Sequence, residues 1–135
     1  MPDVDINLWA VLLAALVNIV IGSLWYSKPL FGKAWSKLVG LSDEQMKSGA
    51  TTAYIGAIVY ALVLSYVLAH AVQYVGAETI SEGLMTGFWA WFGFVATTSL
   101  APVLFEKKPM KWYLISNGYN LVSFLLMGLI LARWQ

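Results

Sequence analysis

Four runs of apolar residues, each about as long as a bilayer core is thick, constrain this chain more than any other feature it has. A helix needs ~20 mostly apolar residues to cross the ~30 Å hydrocarbon layer, and the runs at 6–27, 51–75, 81–104 and 111–133 all meet that length. Polar or turn-forming residues separate them: a long segment from Lys28 to Ala50, a short link from Gly76 to Ile80, and "FEKKPM" from Phe105 to Met110. Composition rules out the soluble alternative. Of the 135 residues, 60% are hydrophobic and 11% charged, against about 45–50% and 25% in soluble domains. A chain this short has too much surface for its volume to hide so many large side chains from water. The first run opens with Asp3 and Asp5 in place of a basic region and is too long for a cleaved signal, so it reads as a retained helix. The expected fold is an all-α membrane protein: a single domain over 1–135 with four transmembrane helices.

Lysine placement sets the orientation. Lys28, Lys33, Lys37 and Lys47 lie in the first connection and Lys107, Lys108 and Lys111 around the third, whereas Arg133 stands alone at the opposite ends of the spans. The bias of basic residues toward cytoplasmic loops puts both lysine-rich loops inside and both termini outside.

The first connection also carries a helical pattern of its own. From about 29 to 39, Leu30, Phe31, Ala34, Trp35, Leu38 and Val39 fall on one side while Lys33, Ser36 and Lys37 fall between them. Pro29 suits the first turn of such a helix, Ser27 is available as its cap, and Gly40 ends it. The segment is too short and too charged to span, so it is expected to lie in the membrane interface, with Phe31 and Trp35 at the headgroup level and Lys33 and Lys37 toward anionic lipid. "SDEQ" at Ser42 to Gln45 has the spacing of a capping box and starts a further short turn.

The stretch "LWYSKPLFGKAWSKLVGLS", with "GFVATTSLAPVLFE" and "LISNGYNLVSFLLMGLIL" further on, closely resembles a family of small bacterial membrane proteins catalogued as domain of unknown function seventeen sixty-one. The likeness covers nearly the whole chain. It implies a compact integral protein of the bacterial inner membrane and brings no activity, cofactor or catalytic residue with it.

Helices in lipid associate through close packing and a few hydrogen bonds, because the solvent is as apolar as their side chains. Ala53, Ala57, Ala61, Ser65 and Ala69 recur every fourth residue in the second span, Ala10, Ala14, Asn18 and Gly22 do so in the first, and Gly83 and Gly87 mark the third. These faces serve contacts within one molecule or with a second copy. Depth counted from ~1.5 Å per residue puts Asn18 and Asn120 near the midplane as mutual partners. Asn117 falls level with Thr97, Thr98 and Ser99, where Pro102 releases a carbonyl near Thr98. The five residues Asn18, Thr97, Thr98, Asn117 and Asn120 therefore form an interhelical network or line a polar pocket. His70 and Glu82 lie at similar depth at the outer edge and make a second candidate pair. The rings of Phe88, Trp89, Trp91, Phe92 and Phe94 lie deep in the third span and either pack and meet lipid or line a lipophilic site. A faint match between Tyr54, Tyr60, Leu62, Val63 and Tyr113, Tyr119, Leu121, Val122 reads either as two parallel hairpins or as chance similarity between apolar helices.

Whole classes of function drop out. The absence of cysteine removes disulfides, thiolate metal sites and cysteine nucleophiles, and a net charge of +1 offers nothing to nucleic acid. No nucleophile with its base, phosphate-binding loop or set of metal ligands can be assembled, so no enzyme activity, metal or cofactor is expected. Every acidic residue lies at or beyond a helix end, which disfavours proton-coupled export. A non-catalytic membrane protein that interacts with lipid or a partner is the leading expectation. A small transporter, channel or lipophilic-ligand binder is the alternative.

Overall fold

In a computed structural model that describes residues 3–135, the chain is helical and no strand forms among the described residues. Helix α1 (Leu8–Trp25) begins where the Asn7 side chain accepts hydrogen bonds from the Trp9 and Ala10 amides, at 3.0 and 3.4 Å. The chain then kinks at Leu30 (φ −103°, ψ −109°) instead of starting a helix at Pro29. Ser27 does not cap; its hydroxyl turns back to the Leu24 carbonyl at 2.6 Å. Helix α2 (Lys33–Val39) therefore starts one turn later than expected and stops at Gly40, whose φ of 71° is a left-handed conformation open to glycine at little cost. The Ser42–Gln45 capping box forms and opens α3 (Asp43–Ser48).

Helix α4 (Ala50–Val75) follows through Gly49 and closes on Gly76 (φ 73°), with the Ala77 amide bonding back to the Val72 carbonyl at 3.1 Å. A second capping box, Thr79 with Glu82, starts α5 (Ile80–Ala90). Its continuation widens into a π-helical segment, Trp91–Ala96, before α6 (Ala101–Phe105). Helix α7 (Met110–Arg133) completes the chain. Among the described residues four helices are long and apolar enough to cross a membrane: Leu8–Trp25, Ala50–Val75, Ile80–Phe105 and Met110–Arg133.

Helix α7 is the hub, packed against α1, α4 and α5. Its closest partner is α5, and glycine makes that approach possible: a Cβ added at Gly83 would stand 2.5 Å from the Gly128 carbonyl oxygen and 2.8 Å from the Ala132 Cβ. A Cβ at Gly87 would overlap the Phe124 carbonyl in the same way. The main core gathers toward the end of the molecule that holds both termini, where Ala10, Val11 and Ala14 meet Leu68, Ala69, Val72, Met127 and Leu131. Large side chains such as Leu16, Val63, Val67 and Phe94 remain exposed on the outside, as suits a surface facing hydrocarbon.

Helix α4 joins this core along only half its length. Ala61, Ser65, Leu68, Ala69 and Val72 are buried, whereas residues 50–60 have no buried member. The small-residue stripe runs along one face of α4, but its C-terminal half packs and its N-terminal half borders open space beside α1 and α7.

Candidate functional site

The space left by that divergence is a partly open cavity of about 490 Å³. Ala53, Ala57, Tyr54 and Tyr60 of α4 form one wall, Gly22, Ser23 and Tyr26 at the end of α1 another, and Tyr119 of α7 the back. Trp35 of α2 with Gln45 and Met46 of α3 covers the side where the lysine-rich connection lies. Small residues account for the space. Ala53 and Ala57 leave the α4 wall low, and at Gly22 even a Cβ would come within 3.1 Å of the Tyr119 hydroxyl.

The walls are fixed by contacts the sequence allowed but did not display. Tyr26 is central: its ring meets Trp35 edge-on at 5.4 Å and Tyr119 edge-on at 5.6 Å, geometries that the ring quadrupoles favour. Tyr119 donates its hydroxyl hydrogen to the Asn18 carbonyl at 3.0 Å and is buried. Trp25 donates its indole N–H to the Ile115 carbonyl at 2.9 Å and packs on Phe31 at 4.8 Å. That pair ties the kinked connection, and with it the cover, to α7. In the cover itself Ser36 donates to the Gly32 carbonyl at 2.7 Å and lies 3.7 Å from the Met46 sulfur. Phe31 and Trp35 thus pack on Trp25 and Tyr26. Lys33 and Lys37 are exposed on α2.

Asn18 and Asn120, expected as mutual partners, do not pair with each other. Asn18 donates to the Ser123 hydroxyl at 2.6 Å, one turn beyond Asn120, while its own Oδ1 has no partner. Asn120 is half-buried and its side chain makes no hydrogen bond among the described residues. Ser123 is a small polar residue of the last span that sequence reasoning passes over for Asn120, which offers the longer side chain. The cluster expected around Asn117 forms in part. Ser99 donates to Asn117 Oδ1 at 3.0 Å and the Asn117 amide donates to the Tyr113 carbonyl at 3.2 Å. Trp91 donates to the Asn117 carbonyl at 3.2 Å, and the Tyr113 hydroxyl to the Ala96 carbonyl at 2.7 Å. Thr97 and Thr98 stay out of it, bonding the Gly93 and Phe94 carbonyls of their own helix. Such back-bonding bends helices, and here it immediately follows the π-helical segment. These bonds tie the continuation of α5 to α7.

His70 and Glu82 are likewise separate. Glu82 accepts from the Glu78 and Thr79 amides at 2.8 and 3.0 Å, the work of a cap. The His70 ring lies edge-on to Tyr66 and Tyr74, with Nδ1 2.8 Å from the Tyr66 carbonyl. In the third span Phe88 stacks on Phe92 at 5.8 Å, and Trp89, Phe92 and Phe94 face outward.

A family described as Protein of unknown function (DUF1761) matches residues 9–132, and the chain belongs to that family. No curated protein and no solved structure matches it.

Proposed function

We propose that this member of the family is a non-catalytic integral protein of the bacterial inner membrane that holds an amphipathic, lipid-like molecule in the cavity between α1, α4 and α7. The lysine bias supports an orientation with α2, α3 and the third connection in the cytoplasm and both termini outside. In that orientation the cavity opens at the inner leaflet, beneath a short helix whose exposed Lys33 and Lys37 suit the membrane surface. The observation that carries the reading is the divided stripe of α4: the same small residues that pack tightly at Ala61, Ser65 and Ala69 border about 490 Å³ of space at Ala53 and Ala57. That volume falls within the ~300–1,000 Å³ typical of small-ligand sites. Tyr26, Tyr54, Tyr60, Tyr119, Ser23 and Gln45 supply hydroxyl and amide groups around a mostly apolar lining. None of these side chains is an ordinary acid or base at neutral pH, which argues for holding over converting.

Extraction in mild detergent followed by lipid analysis tests this. The wild type is expected to retain lipid in a fixed molar ratio, and Ala57→Trp, which fills the cavity from a half-buried position, to lose it while keeping its helical content. Equal retention by both proteins would refute the site.

A further inference from the structure

We infer that the molecule held in this cavity is a single-chain amphiphile with an uncharged polar head, an inference that rests on the cavity being a ligand site. The argument begins with the lysines. Lys28, Lys33, Lys37 and Lys47 all lie in the segment that covers the cavity, interleaved in sequence with Trp35, Leu41, Gln45 and Met46, yet the side chains that line it include no lysine, arginine, aspartate, glutamate or histidine. Lys33 and Lys37 flank Trp35 at two residues' distance and are exposed while Trp35 is turned inward. The covering segment thus sorts its residues: charge outward, the Trp35 ring inward, with Gln45 at the rim.

A charged headgroup drawn into such a space would leave water without gaining an ion of opposite sign, and burial of an unpaired charge is far more costly than burial of a hydrogen-bonded hydroxyl or carbonyl. A neutral head meets what is there. The Tyr26, Tyr54, Tyr60 and Ser23 hydroxyls can donate or accept, the Tyr119 hydroxyl, whose hydrogen goes to the Asn18 carbonyl, can accept, and the Gln45 amide, whose oxygen takes the Ser42 N–H, can donate, so a hydroxyl, ester or ketone finds partners there. The apolar remainder matches a hydrocarbon or isoprenoid chain: Ile19 and Gly22 on the α1 wall and Ala53 and Ala57 on the α4 wall line it without a charged or polar side chain. The volume of about 490 Å³ suits one chain; a two-chain phospholipid would have to leave one chain outside.

The test uses three probes with the same oleyl-length chain and different heads: monooleoylglycerol, oleyl sulfate and oleyltrimethylammonium. Binding to the purified, delipidated protein is measured by native mass spectrometry for the wild type, Ala57→Trp and Ala53→Trp. The neutral probe is expected to bind at least about tenfold more tightly than either ion, and both substitutions to abolish its binding. Equal affinity for all three, or preference for the sulfate, overturns the uncharged head while leaving the site intact, provided the substitutions still abolish binding. Preference for the ammonium overturns it in favour of the aromatic rings as a cation-binding surface. Binding of the neutral probe that survives both substitutions overturns the cavity itself. The two variants place the added ring at different depths, so one that fails to fold leaves the other to decide.

Discussion

Substituting Gly83 by alanine tests the packing that holds α5 to the rest of the molecule. The added Cβ would stand 2.5 Å from the Gly128 carbonyl oxygen, 2.8 Å from the Ala132 Cβ and 2.9 Å from the Leu129 Cα, where ordinary contact begins at 3.4 Å. Two of those three neighbours are backbone atoms of α7 and cannot rotate aside. Relief requires α5 to move away from α7 by roughly 0.9 Å, the gap between 2.5 and 3.4 Å. In lipid that separation forfeits dispersion contacts with no hydrophobic term to compensate, and overpacking of this kind costs about 1–3 kcal/mol. Alanine also favours helix over glycine by up to ~1 kcal/mol, so the raw effect of Gly83→Ala understates the clash. Gly56→Ala supplies the correction: Gly56 lies within α4 and a Cβ there meets nothing within 4 Å. Unfolding both variants and the wild type in mixed micelles of increasing sodium dodecyl sulfate, followed by tryptophan fluorescence and circular dichroism, gives the comparison. Gly83→Ala is expected to fall about 1–3 kcal/mol below Gly56→Ala. Equal stability of the two variants would refute the close approach of α5 and α7.

Other outcomes follow from named contacts. In a double-mutant cycle between Asn18→Ala and Ser123→Ala, unfolding in micelles should show a coupling of about 0.6 kcal/mol, the average for hydrogen bonds between membrane helices. Asn120→Leu, by contrast, should leave stability unchanged or slightly raised, since no bond is lost. Removing the Thr79 cap with Thr79→Ala should cost about 1 kcal/mol, whereas Glu82→Gln, which keeps an acceptor for the Glu78 and Thr79 amides, should cost less than Glu82→Ala in the same titration. His70→Ala should leave expression and oligomeric state, read by size-exclusion chromatography with light scattering, nearly as in the wild type; a metal or chromophore lost in that variant would contradict its placement among tyrosine rings.

The spans were legible because hydrocarbon imposes a length and excludes charge, and two caps were legible because Gly40 and Gly76 sit where a helix must stop. What packs against what was less so. In a soluble helix polarity marks the buried face; in these helices both faces are apolar, and only small residues distinguish contact from lipid. Gly83 and Gly87 therefore pointed correctly to the tightest interface. The stripe of α4 pointed to packing along its whole length, and nothing in the repeat itself distinguishes Ala53 and Ala57 from Ala61 and Ala69. The divergence depends on how the kinked segment and α2–α3 fill the gap beside Tyr26, which is a matter of three-dimensional fit. A signal was available nonetheless: Tyr26, Tyr54, Tyr60 and Tyr119 all lie toward the lysine-rich side, and tyrosines held within apolar spans need somewhere for their hydroxyls. Asn18 shows the same limit. Its bond to α7 was expected, but whether Asn120 or Ser123 faces it depends on the rotation of α7, which the evenly apolar sequence leaves open.

The absence of cysteine makes the topology directly measurable. Single substitutions Asp5→Cys, Lys37→Cys, Glu78→Cys and Lys108→Cys, expressed in bacterial cells and treated with a membrane-impermeant maleimide, report which side of the membrane each exposed position faces. If the chain crosses four times with its lysine-rich segments inside, Asp5→Cys and Glu78→Cys label in intact spheroplasts, and Lys37→Cys and Lys108→Cys label only after permeabilisation. Labelling of Lys37→Cys in intact spheroplasts would place the cover of the cavity on the outer surface and contradict the account.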